Sequence, residues 1–183
     1  SLDPATGERR FSQEVGGVTF QGALLATVNT LVAPQGRSAP LLYDLATGLP
    51  AGTIGHAGGV FCLVTEDNEL ITGPSSQKPK DSQLLLTSAE GAKIATFNDT
   101  SRAVIAQGIA YHHTRGTLRA LPLGAAKKTS TGWTVEAPAP HELIVCGNAV
   151  LVGHAAEVCA YARKDGTLLW KASIPGGGLV HGL

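Results

Sequence analysis

The sequence is short of most features that mark a function. It has no methionine, only 5% aromatic residues, and 15% charged residues, with 14 Lys and Arg set against 14 Asp and Glu. A chain without excess positive charge offers no electrostatic footprint for nucleic acid or anionic lipid, so neither is an expected partner. Nothing approaches the run of about 18 apolar residues that spans a membrane, and no charged, apolar and small-residue leader opens the chain. The first residue is Ser1, so the start reads as a processing boundary. Cysteine is scarce as well. Cys62, Cys146 and Cys159 cannot all pair, and none stands in a Cys-x-x-Cys spacing, which excludes zinc ribbons, redox dithiols and covalent haem. Three free thiols are expected, with a Cys146–Cys159 disulfide as the alternative in an exported protein.

What the chain does have is glycine, 23 residues of it, with 10 prolines and abundant Val, Leu, Ala and Thr. That is the composition of many short strands joined by tight turns. A length of 183 residues suits one domain or one repeat array. A repeat is present. Leu2-Asp3-Pro4-Ala5-Thr6-Gly7-Glu8 returns as Tyr43-Asp44-Leu45-Ala46-Thr47-Gly48-Leu49, more weakly as Leu86-Thr87-Ser88-Ala89-Glu90-Gly91-Ala92, and again in Ala162-Arg163-Lys164-Asp165-Gly166-Thr167, with a degenerate copy at Thr129-Ser130-Thr131-Gly132-Trp133. The turn glycines Gly7, Gly48, Gly91, Gly132 and Gly166 lie 41, 43, 41 and 34 residues apart. Four short strands with their loops fill such an interval, so each interval predicts one β-propeller blade.

Between these turns the segments 23–34, 60–73, 103–113 and 142–153 each read as strand, turn, strand. Gly147-Asn148 and Gln107-Gly108 serve as two-residue connections. Their hydrophobicity is continuous, as for strands covered on both faces. The Ala-rich stretch 123–128 is too short for a stable helix and falls where an outer loop is due. The expected fold is therefore all-β: a propeller of four-stranded antiparallel blades, with the outer half of one blade followed by about four blades.

Val158-Cys159-Ala160-Tyr161-Ala162-Arg163-Lys164-Asp165-Gly166-Thr167-Leu168-Leu169-Trp170-Lys171 resembles the quinoprotein-type (PQQ-type) propeller repeat, and the segment 32–40 resembles stretches of large exported bacterial propellers of that type. The resemblance implies a ring of seven or eight blades of which this chain is a part, a periplasmic or extracellular location, and a tryptophan, Trp170, that docks between adjacent blades. Phe11 holds the equivalent place after Gly7, Gly52 after Gly48 and Ala95 after Gly91. A small four-bladed ring closed by its own ends, or completion by another chain, are the alternatives. The quinone-binding members need a calcium ion, a base carboxylate and an aromatic face, and the inner runs here hold too few acidic residues to assemble that set. No cofactor is expected.

Candidate ligand-binding residues are few. Arg37, in a loop rich in Pro and Gly, has the fork to grip a carboxylate or a sugar hydroxyl, or to pair with Asp44 or a turn carbonyl as a clamp. His56, in a glycine-rich connection, His112-His113, at the end of an inner hairpin, and His154, after a predicted strand, are the histidines of which two or three could meet at one mouth of a propeller. None of the six histidines shows a His-x-His or His-x3-His ligand spacing, so no metal site is expected. Gly73-Pro74-Ser75-Ser76 is not a nucleophile elbow, and the polar stretch 75–81 reads as a solvated loop. The expected function is a non-catalytic module that binds or scaffolds a protein or carbohydrate. The alternative is a portion of a quinone-dependent oxidoreductase whose catalytic blades lie elsewhere.

Overall fold

The computed structural model describes residues 2–176 apart from 4, 18, 55–57, 59–60, 75–81 and 101. Sixteen strands are described, arranged as four antiparallel four-stranded sheets in simple meander order. The first sheet holds β1 (Leu25–Ala26), β2 (Thr30–Gln35), β3 (Ser38–Asp44) and β4 (Pro50–Thr53). The second holds β5 (Phe61–Val64), β6 (Leu70–Gly73), β7 (Gln83–Thr87) and β8 (Lys93–Asn98). The third holds β9 (Ala103–Ala106), β10 (Ile109–Thr114), β11 (Thr117–Pro122) and β12 (Trp133–Glu136), and the fourth β13 (Glu142–Cys146), β14 (Ala149–His154), β15 (Glu157–Ala162) and β16 (Leu168–Ser173). These are propeller blades, so the chain is a partial β-propeller, as its repeat predicts. All four inner hairpins fall within the segments read as strand, turn, strand, give or take a residue.

Blade one and blade two as far as Thr96 lie in a compact unit, residues 1–96, and the end of β8 with blades three and four in a second, 97–183. Each unit has its own core. In the first, Val32, Leu42, Ile54 and Leu70 are buried together, with Leu25, Cys62 and Val64 packed against them. In the second, Tyr111, Leu118 and Ala120 from the third blade meet Leu143, Val150, Val152 and Tyr161 from the fourth. Continuously buried runs such as Leu70–Gly73 are the trace of this two-sided cover.

Local chemistry sets the hairpins. Gln107 and Gly108 both take positive φ (52° and 70°), as do Arg115 and Gly116 (47° and 80°), which gives the turn twist that matches right-handed strands. Pro34 sits inside β2, where its missing N–H coincides with a register shift between Ala33 and Gln35. The segment 34–40 is thus not an open loop; only Gly36 and Arg37 lie outside the two strands.

The repeated Asp-x-x-x-Gly segment is a turn held by its own side chain. Asp44 Oδ1 accepts from the Ala46 and Thr47 N–H groups (3.1 and 2.7 Å), and the Gly48 N–H donates to the Asp44 carbonyl (2.8 Å). Asp3 and Gly7 repeat these bonds, and the Gly166 N–H closes the same ring onto the Ala162 carbonyl (2.9 Å). Gly132 departs from the set. It lacks positive φ, and a Cβ there would strike the Ala120 carbonyl oxygen, so this glycine permits close strand approach rather than forming a turn. The third blade replaces the tight outer turn with residues 123–132, which include a 3-10 segment, Gly124–Lys128.

Trp170 stands on the last strand of the fourth blade. It lies on β16, all of whose residues are exposed, and is itself 48% exposed. Trp133 does the docking. Its Nε1 donates to the Arg163 carbonyl (2.8 Å), its ring lies 6.0 Å from that of Tyr111, and a Cβ on Gly166 would meet it at 2.7 Å. Phe11 covers Gly48 in the same way. An aromatic side chain from one blade thus seats on the bare turn glycine of the next.

Candidate functional site

In a four-stranded meander the turn between second and third strands lies at the same end as the chain entering the first strand. Arg37 stands in such a turn and is exposed. It does not clamp Asp44, which lies at the opposite end of β3, about 20 Å away at the rise of a strand. His56 lies outside the described residues.

His112 and His113 occupy adjacent positions on β10, so their side chains leave by opposite faces. His112 is buried, 5.1 Å from the Phe97 ring, with Nδ1 3.3 Å from Thr100 Oγ1. Burial, then the charges of Arg119 and His113, push its pKa down to about 4. His113 is half-buried, and its Nε2 donates to the Ala137 carbonyl (3.0 Å); burial lowers its pKa as well. Both imidazoles are packed into the second unit and do not converge on one ligand.

Two features escaped the sequence reading. The first is a recess of about 200 Å³ in the first unit, walled by Phe11, Val15, Phe20, Leu24, Leu31 and Tyr43. Its polar side chains are Gln13, Asp44 and, through its hydroxyl, Tyr43, and Asp44 Oδ1 already serves the Asp44–Gly48 turn. Phe20 and Leu24 are 48% and 61% exposed at its edge. The stretch that builds it, residues 10–24, belongs to no named strand, so no periodicity marks it.

The second is a polar cluster in the second unit. His154 pairs in register with Glu157 across the β14–β15 turn, and Cys159, two residues further on, shares that face with Lys171 opposite it on β16. His154 Nε2 lies 3.0 Å from Glu157 Oε2, and Lys171 Nζ donates to Glu157 Oε1 (2.7 Å). Lys171, then His154, hold the Glu157 carboxyl below its ordinary range, and Glu157 in turn raises Lys171. The His154, Glu157 and Cys159 donor atoms all lie within 4.8 Å of one another. Only the fold reveals this, because a His-x-x-Glu spacing carries no signal in a strand.

The three cysteines are free. Cys146 pairs with Ala149 on β14, and Cys159 lies beyond that strand on β15, so the two thiols are not on neighbouring strands and do not face one another.

No family model and no curated protein matches the chain. Solved structures do. BamB from Moraxella catarrhalis superposes over 93% of this chain with a TM-score of 0.64 at 16% identity. Hsv2 of Kluyveromyces lactis does so over 91%, with a TM-score of 0.65 at 14% identity, and the computationally designed Ika8 protein over 81%, with 0.64 at 14%. The chain spans 53%, 54% and 48% of those three chains, about half of each. At such identities the likeness is one of fold.

Proposed function

We propose that this chain is part of a quinoprotein-like repeat propeller, resident in the periplasm or outside the cell, that serves as a non-catalytic binding module for a protein. The repeat resemblance and the superposition on propeller structures support the family and the location. The recess of the first unit carries the functional reading. It is open, about 200 Å³, and lined by aromatic and aliphatic side chains with little polar lining, which suits an apolar anchor residue of a partner protein better than a sugar ring needing a convergent set of hydrogen bonds.

The test is photocrosslinking in the native host from a benzophenone amino acid at position 24. The crosslinked peptide is then identified, synthesised and titrated against the purified chain. The reading requires saturable binding that Phe20→Asp weakens at least about tenfold with the thermal melt unchanged, the size of effect expected of a buried anchor contact. Binding indifferent to Phe20→Asp would overturn it. So would calcium and quinone bound stoichiometrically to the full-length protein, which would restore the oxidoreductase alternative.

A further inference from the structure

We propose that His154, Glu157 and Cys159 form a binding site for one zinc ion. The three residues come from a single hairpin whose register is fixed by six consecutive pairs from Ala149↔Ala162 to His154↔Glu157. Strand alternation puts Glu157 and Cys159 on one face, and cross-strand pairing puts His154 on the same face beside Glu157. The backbone therefore holds all three donors on one side without help from a loop.

Their spacing fits. Donor atoms lie within 4.8 Å of one another. A tetrahedral ion with bonds of about 2.0–2.3 Å sets its ligand atoms roughly 3.5 Å apart, so side-chain rotations that move each donor by about 1 Å close the site. One nitrogen, one oxygen and one sulfur is the donor set of a borderline-soft cation, and it disfavours calcium and magnesium, which take oxygen. Three protein ligands leave the fourth position to water. The burial is graded to suit: Cys159 is 3% exposed, whereas the His154 and Glu157 side chains, at 21% and 24%, give the ion a way in.

Lys171 is the resident counter-ion of the metal-free state. Its ammonium lies 2.7 Å from Glu157 Oε1, and its side chain is 52% exposed, free to swing into solvent. Tyr161, two residues beyond Cys159 on the same face, is buried in the same cluster and supplies an outer-shell contact. On binding, the Cys159 thiol proton passes to solvent and the thiolate sulfur bonds the metal.

The experiment uses the 183-residue chain carrying Cys146→Ser, under a non-chelating reductant, titrated with zinc by calorimetry and with cobalt(II) by absorption. One zinc per chain and a thiolate-to-cobalt charge-transfer band are expected. Cys159→Ser should weaken zinc binding by at least about 100-fold, since a lost ligand costs more than a lost outer-shell partner. Lys171→Met should tighten it by about tenfold, the effect of removing a competing charge beside the ion. Lys171→Met decides between the metal site and a purely structural ion cluster, because a cluster that needs its lysine gains nothing from losing it. Absence of stoichiometric zinc, absence of the cobalt–thiolate band, or zinc affinity unmoved by Cys159→Ser would each overturn the assignment. The cobalt band is read on the chain with its three ligands intact, so it tests the assignment even if a site variant fails to fold.

Discussion

A histidine that looks like a ligand in sequence becomes, at residue scale, a determinant of acid stability. His112 faces Phe97 and Thr100, with Arg119 opposite on β11 and His113 beside it. Its folded pKa of about 4 lies below the ordinary value near 6.5, so the folded state refuses a proton that the unfolded chain accepts. Stability is thus fully present above pH 6.5 and is lost as pH falls towards 4, by about 3 kcal/mol from this group. Urea denaturation at pH 7.5 and pH 4 should show that loss, and His112→Gln should remove most of it. His113 acts in the same direction. Thiols divide in a similar way. Burial pushes the Cys62 thiol up to about 12, which leaves on the order of 1,000-fold less thiolate than an ordinary cysteine, whereas Cys146 is exposed. Alkylation at pH 7.5 followed by peptide mapping should find Cys146 labelled in the folded chain, and Cys62 and Cys159 only after unfolding.

At the scale of elements, the unit of construction is an outer strand plus the turn of the following blade. Trp133 on β12, Gly166 in the β15–β16 turn, and Arg163 are one assembly. Arg163 donates to Tyr111 Oη (3.2 Å), the Gly147 carbonyl (3.0 Å) and Gln107 Oε1 (3.1 Å), while its own carbonyl receives the Trp133 indole. Gly166 and Gly91 both have positive φ (77° and 89°), yet a Cβ meets Trp133 and Val135 at the first and nothing at the second. Gly91→Ala should therefore cost only the conformational term of about 1 kcal/mol, and Gly166→Ala about 2–3 kcal/mol. Equal losses in thermal or urea unfolding would mean that the Trp133 seat is loose. How much of this was legible follows from the same residues. The Asp-x-x-x-Gly turn is local chemistry and could be read directly, as could the four inner hairpins. The role of Gly132, the partner of Trp133 and the keystone position of Arg163 depend on which blade faces which, and that information is spread over 30 to 56 residues of chain. The His154–Glu157–Cys159 cluster was hidden for the same reason: cross-strand register assembled it.

At the scale of the whole molecule, the aromatic-on-glycine rule gives Trp170 a definite meaning. Phe11 stands four residues after Gly7 and covers Gly48; Trp170 stands four residues after Gly166. By that offset it is the side chain that would seat on the turn glycine of a further blade, and in this chain it is 48% exposed, alongside Leu168 at 51% and Leu169 at 48%. Three large apolar side chains in a row on an outer strand form the kind of patch that soluble chains normally cover. The chain spans about half of the propellers it superposes on, so the question is whether Trp170 stays bare. The two tryptophans make this measurable, because Trp133→Phe leaves Trp170 as the sole indole emitter. In the isolated chain, acrylamide should quench that emission nearly as efficiently as free indole, and the spectrum should be red-shifted. In any longer form or assembly that places a blade beyond β16, quenching should fall severalfold and the emission should move to the blue. Equal quenching in both would leave Trp170 a surface residue and end the docking rule at the fourth blade. Protection in the isolated chain, at concentrations where sedimentation shows a single species of one chain, would instead require one of its own segments to cover β16.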